Sequence, residues 1–167
     1  MTSVKSEDEV GDLIDVQQTM YISEQNLVSH LDHLKRTGKI EHVAFIDLNG
    51  NLLLSSSGFN ITSDSTKAVI HVLRSKSKST NMVKIKIGIT EFLCINITDE
   101  LFVGRSKEDF ICVNKCTNFI VICTADPEAP GSCIFEVSRY VKKCYRNSVF
   151  SLQSQRNSIA METQENV

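Results

Sequence analysis

The stretch from Val43 to Thr62, VAFIDLNGNLLLSSSGFNIT, restricts the fold of this chain more than any other. Val43, Ala44, Phe45 and Ile46 form an apolar run too short for a buried helix and bounded by turn residues. Leu48-Asn49-Gly50-Asn51 follows. Asn-Gly between two apolar runs is a strong hairpin signal, because both residues tolerate the positive φ that a tight hairpin turn demands. Leu52, Leu53 and Leu54 form the return strand, and Ser55-Ser56-Ser57-Gly58 ends it. A hairpin apolar at most of its positions must be covered on at least one face.

The flanking segments supply that cover. Tyr21 to Arg36 reads as a helix, with Leu27, Leu31 and Leu34 on one stripe and Ile22 and Val28 at its margin. Lys35 and Arg36 suit the helix C-terminus, and Gly38 stops it. Thr62-Ser63-Asp64 offers capping oxygens to a second helix, which ends near Arg74 and has Ala68, Val69, Val72 and Leu73 as its apolar face. Ser75 to Asn81 is a polar loop. Met82 to Ile87 alternates as a half-buried strand does, with Val83, Ile85 and Ile87 inward and Lys84 and Lys86 outward. Glu91–Ile97, Leu101–Gly104, Phe110–Val113 and Asn118–Cys123 are four more short strands, spaced as antiparallel neighbours are. Asp126-Pro127 and Pro130-Gly131 break the last connection. From Ser132 onward Ile134, Val137, Val141, Cys144 and Tyr145 mark a helix with one apolar stripe.

This order predicts an α+β domain over residues 24–147. Its antiparallel sheet has about seven strands, with the N- and C-terminal helices on one face and a further helix on the other. Residues 1–23 read as an acidic disordered arm and 148–167 as a polar tail.

Charge and cysteine usage narrow the function classes. The net charge of −2 divides into −5 over residues 1–25, −1 over 147–167 and +4 between them. A body so mildly basic has no nucleic-acid footprint. No apolar run approaches a membrane span and the N-terminus has no signal-peptide pattern, so a cytoplasmic protein is expected. The sequons at Asn60 and Asn96 then go unused. The six cysteines show no C-x-x-C spacing and mostly sit in apolar runs, which reads as small buried residues kept reduced. His30 and His33 are one helical turn apart, but no further residue at ligand spacing accompanies them. Asp99-Glu100 and Glu108-Asp109 fall in turns, and no glycine-rich phosphate loop exists. Neither catalysis, cofactor nor metal is expected.

Two landmarks carry a family resemblance. The apolar strand, Asn-Gly turn and SSSGFNIT ending resemble the first hairpin of profilins, and Asp126 to Cys133, DPEAPGSC, resembles the profilin loop before the C-terminal helix. Arg105-Ser106-Lys107 falls where many profilins place two basic residues. The resemblance covers residues 24–147 and implies a small binding protein of the actin cytoskeleton, without catalytic site or cofactor. A roadblock- or longin-type scaffold shares the helix, hairpin, helix, sheet plan. The extra strands and the Pro-Gly loop weigh against it.

Profilins offer surfaces to monomeric actin, to proline-rich peptides and to acidic phosphoinositides. A polyproline helix docks on exposed aromatic rings. The positions that match those rings here are Leu27, His30, Leu53 and Lys143, and the chain has no Trp, so proline-rich peptides are expected to bind weakly or not at all. The residues matching the actin surface are Lys67, Arg74, Arg105, Lys107, Lys115, Gly131 and Arg139, mostly basic, as suits an acidic partner. Arg105 and Lys107 would point to one side in extended geometry, and Lys115 would extend their patch. Ile134, Phe135 and Ser138 stand where many actin-binding members carry polar or charged groups, a departure similar to the testis-type branch, which favours lipids. The alternative function is therefore a phospholipid-binding or scaffold adaptor with little actin binding.

Overall fold

A computed structural model describes residues 26–75 and 83–144. The acidic arm, most of the 75–81 loop, Met82, Tyr145 and the tail lie outside the described residues.

The hairpin consists of β1 (His42–Asp47) and β2 (Leu52–Ser55). Its turn is held by a carboxylate. Asp47 Oδ1 accepts the backbone N–H groups of Asn49 and Asn51 at 2.8 Å each, and Oδ2 accepts Asn51 Nδ2 at 2.8 Å. Gly50 alone takes a positive φ, of 92°. Asn49 does not share the left-handed geometry expected of it, because Asp47 gathers the turn's donors and spares it that strain. One extra residue on β2, between Leu54 opposite Phe45 and Leu52 opposite Ile46, puts a bulge at Leu53.

The first helix, α1, covers 26–36 of the described residues, and Gly38 ends it at φ 69° with its N–H on the Lys35 carbonyl. Leu27 and Leu34 are buried and Leu31 packs beside them. Val28, expected at the margin of the stripe, is 52% exposed, since one residue on from Leu27 is a rotation of about 100° away from the core. Helix α2 (Ser63–Arg74) is capped by Thr62, whose Oγ1 accepts the Ser65 N–H at 3.2 Å.

The remaining strands are β3 (Lys84–Ile87), β4 (Thr90–Ile97), β5 (Leu101–Arg105), β6 (Phe110–Lys115) and β7 (Phe119–Ala125). All seven join one sheet in the order β2-β1-β7-β6-β5-β4-β3, and every pairing is antiparallel. Helix α3 spans 130–144. Pro130 and Gly131 open this helix rather than break the chain before it, because a first-turn N–H has no intrahelical partner to lose.

Period-two alternation splits the core into two layers. Val43, Phe45, Val103, Cys112, Val121 and Cys123 face α1 and α3. Their neighbours Ala44, Ile46, Phe102, Ile111, Val113, Ile120 and Ile122 face Val69, Val72 and Leu73 of α2. The terminal helices thus share one face and α2 takes the other.

Candidate functional site

Helices α1 and α3 leave part of their face of the sheet open. On β4, Phe92 is buried toward α2, while its neighbour Leu93 points the other way and is 54% exposed. Leu93 stands directly opposite Lys84 on β3 and Arg105 on β5. Cross-strand partners share a face. Arg105 in turn stands opposite Phe110, which belongs to the core under α1 and α3. So Lys84, Leu93 and Arg105 form a row across three strands, on the α3 side of the sheet. Lys86 and Glu91 form the next row, and Lys84 Nζ reaches Glu91 Oε1 at 3.2 Å. Ile95, at a β4 bulge, is a further exposed apolar residue. The result is a flat patch with an apolar centre and a surplus of cations.

Strands β4 and β5 approach closely beneath the patch. Gly104 lies opposite Cys94, and a Cβ there would stand 2.8 Å from Phe102 Cε1 and 3.0 Å from the Leu93 carbonyl oxygen.

The basic residues expected at one interface do not all come together. Arg105 ends β5, and the chain turns at once: the Ser106 N–H bonds the Asp109 carbonyl at 2.8 Å, and Ser106 Oγ accepts the Asp109 N–H at 2.9 Å. Lys107 therefore sits in a turn, where strand alternation no longer fixes its side. Lys115 does not extend the patch. Strands β5 and β6 do pair, but antiparallel, so Arg105 meets Phe110 at one end and Lys115 lies beyond Asn114 at the other. Five residues of strand separate the two ends, roughly 16 Å. Alternation also turns Lys115 to the α2 face, where it lines a cavity of about 80 Å³ with Leu48, Ile70, Arg74 and Asp99. Arg74 is engaged there, its Nη2 donating to the Leu48 carbonyl at 2.9 Å. Lys67 is exposed on α2, and Gly131 and Arg139 are exposed on α3. The sheet divides Lys67, Arg74 and Lys115 from Arg105, Gly131 and Arg139.

The positions that match a polyproline groove carry no ring platform. Leu27 is buried and Leu53 sits at the β2 bulge. His30 lies edge-on to Tyr140 of α3 at 5.0 Å between centroids. Its imidazole is held below the ordinary histidine pKa by burial first, then by Lys143 and by His33. Tyr140 is the residue that the sequence reading missed, although its place three residues after Val137 puts it on the same stripe. It is buried, and packs on Phe45, which packs on Phe119. Among the described residues Phe135, 63% exposed on α3, is the one well-exposed aromatic ring.

No group of three or more potential metal ligands occurs among the described residues, and no described helix is long and apolar enough to cross a membrane. A sequence model of the profilin family matches residues 25–145. No curated protein matches the chain. Solved structures match it closely in fold. Acanthamoeba castellanii profilin IB superposes with a TM-score of 0.66 at 15% identity, covering 72% of this chain and 97% of that one. LokiProfilin2, solved in complex with rabbit actin, gives 0.64 at 17% identity, over 72% of this chain and 96% of that one. Mouse profilin IIa, solved with a double repeat from the FH1 domain of mDia1, gives 0.57 at 15% identity, again over 72% and 96%.

Proposed function

The chain belongs to the profilin family, and from that premise we propose that it is a non-enzymatic binder of monomeric actin. In this reading it serves the actin cytoskeleton from the cytoplasm, and its affinity for proline-rich peptides is weak or lost. The observation that carries the reading is the open row Lys84, Leu93, Arg105 beside α3. An apolar centre ringed by cations suits a large acidic protein partner: burial of Leu93 supplies affinity, and the charges supply orientation and encounter rate. Arg139 and Gly131 on α3 border this side of the sheet, and Arg105 offers a planar fork for a carboxylate. That profilins of similar fold have been solved with rabbit actin supports the choice of partner. Purified full-length chain, added at increasing concentration to pyrene-labelled actin monomers, should slow spontaneous assembly. Assembly curves unchanged at a large molar excess would remove actin as the partner.

A second reading rests on the seam between α1 and α3. Burial and the nearby Lys143 ammonium lower the imidazole's proton affinity, so a neutral His30 beside the Lys143 cation stands where other profilins present rings. Such a seam favours acidic phospholipid head groups. Flotation with vesicles containing phosphatidylserine or a phosphoinositide tests it, and equal recovery with neutral vesicles would reject it.

A further inference from the structure

A pocket of about 200 Å³ opens on the α2 face of the sheet, at the end where β1 begins and β7 finishes. Strand alternation lays its floor. Thr124 stands directly opposite His42 of β1 and Ile111 of β6, and cross-strand partners share a face. Ile87 and Phe92, both buried, complete the floor from β3 and β4. The imidazole of His42 stacks on Phe59 at 5.4 Å between centroids, with planes 19° apart. The Gly88 N–H donates to Ser65 Oγ at 3.1 Å, which ties the β3–β4 turn to the first turn of α2. The walls are therefore fixed before anything enters.

Two polar atoms in this largely apolar pocket stand unmet. His42 Nδ1 and Thr124 Oγ1 are buried and find no hydrogen-bond partner among the described residues. Thr124 is only 4% exposed. The other buried polar residues, Ser56, Ser65 and Thr66, all have side-chain hydrogen bonds, so Thr124 is the exception. Burying a hydroxyl without a partner is costly, and these two atoms together offer a donor and an acceptor to a group on the floor. Asp109, half-buried just before β6, lines the same pocket. Its N–H and carbonyl are taken by Ser106, and among the described residues no cation pairs with its carboxylate. It lies two residues from Ile111, the partner of Thr124, which is a diagonal of roughly 7–8 Å.

We propose that this pocket binds a small monocyclic phenol carrying a short-chain ammonium. A cavity of about 150 Å³ holds a benzene ring, so this larger pocket has room for one ring and a two-carbon arm. The phenol O–H donates to His42 Nδ1, and its oxygen accepts from the Thr124 hydroxyl. The ring lies against Phe59, Ile87 and Phe92, and the ammonium meets the Asp109 carboxylate. The diagonal from Thr124 to Asp109 matches the span from a phenol oxygen to an ammonium two carbons beyond the ring. A carboxylate on the arm, as in free tyrosine, would face Asp109 and be repelled. Leu93 of the open row points to the opposite face from Phe92, so this site stands whether or not actin docks.

The test is titration of the isotope-labelled full-length chain with tyramine, followed by its backbone amide spectrum. Saturable shifts at Gly88, Ile89 and Thr124, with a Kd below about 1 mM, are the expected result. Phenethylamine lacks the hydroxyl and 4-ethylphenol lacks the ammonium, and each should bind at least about threefold more weakly. Tyrosine should also bind more weakly than tyramine. Thr124→Val keeps the shape without the hydroxyl, and should weaken tyramine at least about threefold while leaving phenethylamine unchanged. Asp109→Asn should weaken tyramine and leave 4-ethylphenol unchanged. Lys115→Gln, at the far end of the α2 face, should alter none of these. If Thr124→Val fails to fold, the analogues on the unmutated chain still decide. Overturning results are shifts that do not saturate, shifts centred away from the pocket, or analogues that bind as tightly as tyramine.

Discussion

The imidazole of His30 lies edge-on against the phenol ring of Tyr140, with centroids 5.0 Å apart and planes 65° from each other. Through this contact α1 meets α3, and Tyr140 carries it inward to Phe45 at 6.2 Å and on to Phe119. The aromatic surface at this end of the molecule is therefore spent on holding two helices to the sheet.

Acid should loosen that seam. Burial, Lys143 and His33 lower the folded-state pKa of His30 below its ordinary 6.5, so the unfolded chain binds more protons in that range. The sign follows from linkage: stability from the neutral imidazole is complete above about 6.5 and falls as pH drops through the window just below it. Thermal melts from pH 7.5 down to 5.5 should show a falling midpoint, and His30→Gln should flatten the fall. Parallel curves for the two proteins would clear His30 of the effect.

Proline-rich peptides should bind poorly. A polyproline helix needs flat rings open to solvent, and Leu27, His30, Leu53 and Lys143 provide none. Isothermal titration of a proline decamer should give no saturation at concentrations that saturate a profilin with an intact groove. Saturation in the same range would show that other rings have taken over the groove.

Much of this was legible in the chain itself. Strict alternation over Lys84–Ile87, the apolar run Val43–Ile46 and the Thr62 cap each fix their element through one local force, so strands and helices fall where period and capping put them. The site was less legible because it depends on register. That Lys115 leaves Arg105 follows from the pairing of Arg105 with Phe110, a relation between strands that no local pattern encodes. Lys107 was lost to the same cause at shorter range, since the hydroxyl of Ser106 ends the strand one residue before it. Asp47 was overlooked because an Asx cap and a left-handed Asn leave the same Asn-Gly signature.

Gly104 should tolerate no side chain. A Cβ at this position meets Phe102 on its own strand and, more seriously, the Leu93 carbonyl oxygen of β4 at 3.0 Å, which cannot swing aside as a side chain would. Gly104→Ala should lower the unfolding free energy by about 1–3 kcal/mol in urea titration, the usual range for overpacking. Because Leu93 lies in the open row, the same change should disturb partner binding. A variant as stable as the parent would mean that β4 and β5 separate freely here.

The decisive prediction concerns which face of the sheet binds. Arg105 and Lys115 carry the same charge and end paired strands, yet they stand at opposite ends and on opposite faces. Arg105→Glu places a carboxylate beside Leu93, with Lys84 on the far side of Leu93, at one end of the open row. If actin docks there, the reversal should weaken its binding by well over tenfold, more than about 1.4 kcal/mol and beyond what a rim charge supplies. Lys115→Glu, on the α2 side, should alter the affinity by less than about threefold. Lys107→Glu should fall between the two, since a turn residue contributes through field rather than contact. Sedimentation or anisotropy titrations with labelled actin monomers measure all three, with circular dichroism confirming the fold of each. Equal losses for Arg105 and Lys115 would reduce the effect to net charge, and a larger loss at Lys115 would move the interface to the α2 face.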